Sequence, residues 1–318
     1  MNITAKTVSI LILNLFLSAV VHAQKSGLIY YLKNSGKQVS KKDNADYSMV
    51  VLPPDTSIDK NLYVVYEYYP NGKIRLLTNS KTTDINLLYE GGYIAYYPNG
   101  KKKGMGSFKD GGPIGHEANY FPNGKLYYTS NYGADGKVTY GECRDSTGKV
   151  LAENGNGSVS LLDEHFAGVI AEGKIDSGKE DGIWHLKKDD SIAVENEYNK
   201  GNLIYSKNIY KSGKIAFTKV DENPEFAGGM DVFIRFLGHN IRYPLEAIKN
   251  GTQGKVIVSF ICGIDGKLTD IYVARGIGDG CDEEAIRVIK LFPSWKPGYV
   301  HGKPVNVAYS VPVSFAIN

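Results

Sequence analysis

A glycine-rich segment is the first place in this chain where chemistry could occur. Residues 276–280 read Gly-Ile-Gly-Asp-Gly between a predicted strand and a predicted helix, the position of a phosphate-binding loop. Helix N-termini attract anions, but Asp279, Asp282, Glu283 and Glu284 crowd this one and would repel a phosphate. We therefore expect these carboxylates to cap the helix and offset its dipole, and we expect no cofactor here.

The three cysteines are the second candidate group. Cys143, Cys262 and Cys281 form an odd set, which leaves at least one thiol unpaired within a monomer. Cys262 and Cys281 fall at opposite ends of a predicted hairpin, roughly 25 Å apart at ~3.3 Å per residue. Because a disulfide needs Cα atoms within about 7 Å, we predict no bond between them and interpret Cys262 as a small core residue.

Histidines and serines show no catalytic pattern. The histidines are scattered without the close spacing that converging metal ligands require, and no serine occupies a nucleophile-elbow context. The chain carries 37 basic and 34 acidic residues, a net charge of +3, which is too balanced to indicate nucleic-acid binding. The sequence therefore predicts a protein that is not an enzyme and that holds no metal.

The N-terminus has the features of an export signal. Lys6 precedes an apolar run over residues 7–21, and small residues at positions 21 and 23 have the spacing that signal peptidase recognises. The run is roughly 15 residues, short of the ~20 that span a bilayer as a helix. We predict a cleaved signal peptide over residues 1–23, with Gln24 as the mature terminus. The alternative is an uncleaved anchor.

The middle of the chain repeats one turn sequence. An aromatic-Pro-Asn-Gly-Lys unit occurs at residues 69–73, 97–101 and 121–125. Strands bounded by turn signals every 8–12 residues indicate antiparallel hairpins, and Asn-Gly supplies the positive φ angles of a tight hairpin. We predict an all-β antiparallel hairpin sheet over residues 62–218, preceded by lead-in strands over residues 24–61.

The repeated unit resembles the MORN-like repeats of bacterial envelope proteins. Such an array could bind envelope material such as peptidoglycan. The alternative is that Asn, Gly and Lys recur because the hairpins need them, and we favour this structural interpretation for the individual lysines and tyrosines.

The spacing of hydrophobic residues changes in the last hundred residues. Residues 219–318 predict the order helix, strand, strand, helix, strand, which is a small α+β domain with helices on one face of an antiparallel sheet. The first helix follows the spacing of Val232, Phe236 and Leu237, with Asp231 as its cap. The other elements are a short helix from Pro244 to Gly251, strands at 255–262 and 268–275, a helix at 282–292 and an alternating strand at 305–315.

Several motifs in this segment occur together in one known family. Tyr243-Pro244, the turn at 265–267, Trp295-Lys296-Pro297-Gly298 and residues 302–305 resemble the C-terminal domain of TonB proteins. The resemblance implies a periplasmic protein whose final strand pairs with the TonB box, a short peptide of an outer-membrane TonB-dependent transporter. The residues that the resemblance implies for partner binding are Asn240, Tyr243, Val305, Asn306, Val307, Ala308, Tyr309, Ser310 and Val311.

The final strand itself favours a position at the edge of the sheet. The strand contains Pro312, and proline is excluded from central strands. Residues 305–311 carry none of the charges that usually protect an edge strand from pairing. Such an edge can accept a peptide by β-augmentation. The alternative is a core-forming strand whose edge is covered by the repeat domain.

Two departures from the TonB pattern leave the function open between two hypotheses. The leader looks cleavable, and the 12 prolines are dispersed instead of forming a proline-rich spacer. The first hypothesis is an energy transducer for transport across the outer membrane, coupled to inner-membrane proton-motor proteins if the leader is an uncleaved anchor facing the periplasm. The second is a periplasmic adaptor or scaffold that binds envelope components through its repeats without energy transduction.

Overall fold

The computed structural model describes residues 27–57, 59–292 and 295–317. The predicted signal peptide, residues 1–23, lies outside the described residues. The chain folds into two compact units, Met1–Gly155 and Asn156–Asn318. This division falls within the predicted repeat segment, and a domain boundary at residue 219 stays a prediction.

The first unit is an antiparallel hairpin array, as the repeats predicted. From β3 onward each strand pairs with the next, and β1 pairs with both β2 and β3. A 3-10 turn, Lys42–Asn44, precedes β3. The strands are β1 (Leu28–Leu32), β2 (Gln38–Val39), β3 (Tyr47–Leu52), β4 (Tyr63–Tyr68), β5 (Ile74–Ser80), β6 (Tyr89–Tyr96), β7 (Lys102–Lys109), β8 (Gly112–Tyr120), β9 (Leu126–Tyr132), β10 (Val138–Arg144) and β11 (Val150–Glu153).

The repeated turns have a different geometry from a two-residue Asn-Gly hairpin. In the first of them the Tyr69 N–H donates to the Lys73 carbonyl oxygen and the Gly72 N–H donates to the Tyr69 carbonyl oxygen, both at 2.9 Å. Only Gly72 has a positive φ, 79°, whereas Asn71 does not. This is a three-residue loop in which a left-handed glycine follows a type I turn, so the expectation that Asn would share the positive φ was wrong.

A ladder of side-chain hydrogen bonds joins each repeated turn to the next. Asn71 Nδ2 donates to the Pro98 carbonyl oxygen at 3.2 Å, and Lys73 Nζ donates to the Asn99 carbonyl oxygen at 3.0 Å. The same two contacts recur from Asn99 to Pro122, Lys101 to Asn123, Asn123 to Ser146 and Lys125 to Thr147. This turn ladder gives the repeated Asn and Lys side chains a structural role.

The turn ladder predicts a measurable cost for losing one step. Asn99→Ala is expected to lower the free energy of unfolding by about 1 kcal/mol, because Asn99 donates to Pro122 and accepts from the Lys101 N–H at 2.9 Å. Urea denaturation measures this. Asn34→Ala, in an earlier turn, is the control, since the Asn34 side chain makes no described hydrogen bond. Equal losses in both variants would contradict a stabilising ladder.

The second unit begins with six more antiparallel strands and continues into the predicted α+β arrangement. The six are β12 (Asn156–Leu162), β13 (Val169–Asp176), β14 (Lys179–Lys187), β15 (Ile192–Asn199), β16 (Asn202–Tyr210) and β17 (Ile215–Lys219). After them come β18 (Glu225–Phe226), α1 (Gly229–Asn240), α2 (Leu245–Asn250), β19 (Gly254–Cys262), β20 (Leu268–Arg275), α3 (Cys281–Lys290), β21 (Trp295–Lys296), β22 (Gly298–Val300), β23 (Lys303–Val305) and β24 (Val307–Phe315).

The C-terminal elements enclose one hydrophobic core. β19 lies between β20 and β24 and pairs antiparallel with both. Alternate residues of β19 and β24 turn inward to meet α1 and α3, and Cys262 is among them, as predicted. The fully or nearly buried members include Phe233, Val256, Val258, Phe260, Ala285, Ile289, Trp295, Val313 and Phe315.

Two details of this segment differ from the sequence predictions. α1 begins after Gly228, which has a φ of 94°, and Asp231 lies in the first turn without capping it. The predicted strand over 305–315 is interrupted, because Val305 belongs to β23 and pairs with Gly298. Positive φ angles at His301 and Gly302 close that separate hairpin, and Asn306 connects it to β24.

Candidate functional site

The two sides of β24 differ in how they are paired. Along one side the strand pairs with β19 over its whole length, from Val307 opposite Cys262 to Phe315 opposite Gly254. On the other side, the only pairing within the described residues is a parallel one at Phe217 of β17, opposite Val307. β24 is therefore an edge strand that is covered by β17 only at its start, around Val307.

The contact with β17 shows which backbone groups remain open. The Phe217 N–H donates to the Asn306 carbonyl oxygen at 2.8 Å, so that carbonyl points away from β19. Because backbone groups alternate sides along a strand, those of Ser310, Pro312 and Ser314 point the same way. Pro312 has no N–H to give, which agrees with this orientation. We call residues 310–314 the open edge.

Side chains on the open edge give a partner little to recognise. Val311 and Val313 are buried in the core, whereas Ser310, Pro312 and Ser314 are exposed. No side chain of the five is charged. A partner strand added here would therefore be held mainly by backbone hydrogen bonds.

The structure brings together only part of the residue set implied for partner binding. Val307, Ala308, Tyr309, Ser310 and Val311 lie on β24. Of these, Ala308 and Ser310 have outward-pointing backbone groups; Ala308 lies beside the β17 contact, and Ser310 lies on the open edge. Val305 lies on β23 instead. Asn306 is occupied by internal contacts, since its carbonyl accepts from β17 and its Oδ1 accepts from the Ile264 N–H at 3.2 Å. The β17 contact was not predictable from local sequence.

Asn240 and Tyr243 lie away from the start of β24. The Tyr243 ring packs edge-on against Phe315 at the far end of the strand, with 5.6 Å between ring centroids. Its hydroxyl donates to the Thr252 carbonyl oxygen at 2.6 Å. Asn240 Nδ2 donates to the Phe236 carbonyl oxygen at 2.8 Å. Both side chains thus contribute to the internal structure of the domain.

Residues 239–317 match the family model of the Gram-negative bacterial TonB protein C-terminal. This segment is a TonB C-terminal domain. The resemblance carried by its motifs is thereby confirmed. The family is a protein-interaction family of the cell envelope without catalytic activity, and its members interact with outer-membrane transporters. No curated protein matches the chain.

A buried carboxylate anchors the segment around Asn240 in the TonB C-terminal domain. Glu284 of α3 is 8 % exposed and accepts from the Arg242 N–H at 2.6 Å. Arg287 Nε and Nη2 each donate to it at 2.7 Å, and Nη2 also donates to the Asn240 carbonyl oxygen. The hydrogen bonds from Arg287 hold the pKa of Glu284 below its usual range. The spacing Glu284–Arg287 was the only sequence signal for this network.

The carboxylates near the glycine-rich segment of the TonB C-terminal domain accept hydrogen bonds from groups of the same domain. Asp282 Oδ1 accepts from the Ile277 N–H at 2.9 Å and from the Gly278 N–H at 3.4 Å. Asp279 accepts from the Thr252 hydroxyl. The acidic side chains therefore bind the preceding loop and a neighbouring turn, and α3 has no side-chain cap, contrary to the expectation of a cap.

Within the described ranges, no three His, Cys, Asp or Glu side chains converge as metal ligands would. None of the helices that the structure describes has the length and apolar content needed to cross a membrane.

Proposed function

We propose that this protein binds outer-membrane TonB-dependent transporters in the periplasm, by adding an extended peptide of the transporter to the open edge of β24. It would serve energy-coupled transport across the outer membrane as a non-enzymatic binding protein. The observation that carries the proposal is the open edge itself, where Ser310, Pro312 and Ser314 present backbone groups that no described strand pairs with.

The position of Pro312 defines what a partner strand would meet. An added strand would find a donor and an acceptor at Ser310 and at Ser314, with only an acceptor at Pro312 between them. Proline on an edge strand is a device that keeps the strand from pairing indiscriminately. This edge therefore favours a short peptide over a long continuous strand, which agrees with a TonB-box type of partner.

The first test uses Ser310, because its N–H can be removed without touching the pairing with β19. The probes are fluorescein-labelled synthetic peptides that cover the N-terminal extensions of outer-membrane TonB-dependent transporters from the source bacterium. Fluorescence anisotropy with the full chain is expected to find a peptide that binds. Ser310→Pro should weaken the binding of that peptide at least about tenfold, because the variant loses a backbone donor and adds a ring at the edge.

Ser310→Ala is the matched control. Both variants lose the contact between the Ser310 and Ser259 hydroxyls, which is 2.8 Å long, but only the proline variant loses the N–H. Alanine should therefore bind like the wild type. The proposal fails if no transporter peptide binds, or if the proline and alanine variants bind equally well.

Energy coupling depends on the state of the leader. We propose the periplasm as the compartment, with a mature terminus at Gln24. N-terminal sequencing of the protein isolated from cells decides between the two hypotheses. Gln24 at the terminus would contradict an anchored energy transducer and support a periplasmic adaptor, whereas an intact leader would support coupling to inner-membrane proton-motor proteins.

A further inference from the structure

A cleft of about 700 Å³ lies in the second unit beside the open edge. One wall comes from β16 and β17, and the other from β19, β20 and β24. The residues of β19 and β24 that line it most directly are out of phase with Val258, Val311 and Val313, so they belong to the sheet face turned away from the helices. Its lining includes the polar and aromatic residues Asn208, Tyr210, Thr218, Ser259, Tyr272 and Ser310.

Asn208 is the unexplained group in this cleft. Its side chain is 9 % exposed and makes no hydrogen bond to any residue that the structure describes. The amide is not among the fully enclosed side-chain atoms that lack a partner, so the small exposed part of Asn208 leaves the amide open for a partner. Here the amide borders a cleft large enough for part of a ligand. An amide offers two donors and an acceptor, which suits the recognition of another amide.

The cleft is continuous with the open edge through Ser310. The Ser310 hydroxyl lies on the cleft side, 2.8 Å from the Ser259 hydroxyl, while the Ser310 backbone faces the edge. In an added strand, successive side chains point to opposite faces of the sheet. Every second side chain of a peptide paired with the open edge would therefore point toward the cleft.

The walls indicate which side chain would enter. Lys214 is paired with Asp270, and Lys188 is exposed. The remaining polar groups are hydroxyls and the Asn208 amide, and Tyr210 and Tyr272 supply aromatic surface. This combination fits an uncharged polar side chain, or the backbone amide next to it, better than a charged or purely aliphatic one.

We propose that the cleft receives a side chain of the same extended peptide that pairs with the open edge, and that Asn208 determines its specificity by hydrogen bonding to an amide of that peptide. This inference rests on the proposed function. Its consequence is that β16 and β17, which precede the TonB C-terminal domain, take part in choosing the partner. The same domain beside different strands would select different peptides.

The test replaces Asn208 by leucine, which keeps the branched shape of the side chain, although it is larger, and removes the hydrogen-bonding groups. With the full chain and the labelled transporter peptide that binds best, Asn208→Leu is expected to weaken binding about tenfold. Asn202→Leu, on an exposed position of the same strand, is the control and should change nothing. Thermal unfolding checks folding, since removing an amide that makes no described hydrogen bond should leave the melting temperature nearly unchanged.

An alanine scan of the peptide locates the contact. Alanine at one peptide position should weaken binding to the wild type but should not weaken binding to Asn208→Leu any further. Such non-additivity indicates a direct contact between that position and Asn208. If Ser310→Pro abolishes binding while Asn208→Leu binds as Asn202→Leu does, the inference fails and the proposed function stands. If Ser310→Pro also binds normally, both fail. Binding of N-acetylglucosamine tetramer that Asn208→Leu abolishes, while peptide binding stays unchanged in both proteins, would identify a glycan site and overturn the inference.

Discussion

Arg75→Met is expected to destabilise the first unit by about 3 kcal/mol at neutral pH. Arg75 Nη1 lies 2.6 Å from Glu67 Oε2, and the Glu67 side chain is only 6 % exposed. Removing the guanidinium leaves a buried carboxylate whose remaining described partner is the Tyr89 hydroxyl, at 3.1 Å. Because 31 % of the Arg75 side chain is exposed, we place the effect at the lower end of the range for buried ion pairs.

The destabilisation should depend on pH in a defined direction. Burial raises the pKa of Glu67 above its ordinary value of 4.5, and Arg75 opposes that rise. Without Arg75 the folded-state pKa rises further above the unfolded value. A carboxyl whose pKa is raised in the folded state contributes most to the free energy of unfolding below its unfolded pKa. That contribution is lost as the pH rises through the folded-state pKa. The difference in the free energy of unfolding between Arg75→Met and the wild type should therefore be small near pH 5 and large at pH 8. Urea denaturation at both pH values measures it.

The double variant Glu67→Gln with Arg75→Met is the control for the buried charge. Glutamine accepts the Tyr89 hydrogen bond but carries no charge, so most of the lost stability should return at pH 8. The prediction is wrong if the single and double variants are equally unstable at both pH values, because lost packing of the Arg75 stem would then explain the whole effect.

The repeats show what local sequence can and cannot predict. Asn-Gly at residues 71–72 and 99–100 predicted hairpins, because turn chemistry acts over three or four residues. The turn ladder joins Asn71 to Pro98, and such a contact depends on the register of the strands between them. Glu67 had no sequence signal for burial, since a charge within an alternating strand is ordinarily a solvated one.

The candidate site divides in the same way. Alternation predicted that Val311, Val313 and Phe315 face the core, and they do. It could not show the break at Asn306, because the period of two is the same on both sides of a change in pairing partner. The contact of β17 with Val307 spans ninety residues of sequence, and Asn208 carried no motif at all. Edges and clefts are made by contacts between distant segments, which one sequence does not specify.

Trp295→Ala is expected to lower the free energy of unfolding by about 3–5 kcal/mol and to weaken peptide binding at the open edge as well. Trp295 is 4 % exposed. Its ring centroid lies 3.9 Å from that of Phe226, 4.8 Å from that of Phe260 and 6.3 Å from that of Tyr309. Since Tyr309 precedes Ser310 on β24, a cavity beneath it would loosen the strand that presents the edge. Thermal unfolding and the anisotropy assay measure the two effects.

Trp295→Phe separates ring packing from polarity. The Trp295 Nε1 is buried and has no hydrogen-bond partner among the described residues, so the indole carries an unpaid desolvation cost that phenylalanine lacks. Phenylalanine should therefore retain most of the stability and all of the peptide binding, although it fills less volume. If phenylalanine is as damaging as alanine, the indole N–H has a partner in the folded protein, and the aromatic cluster alone does not hold β24 in place.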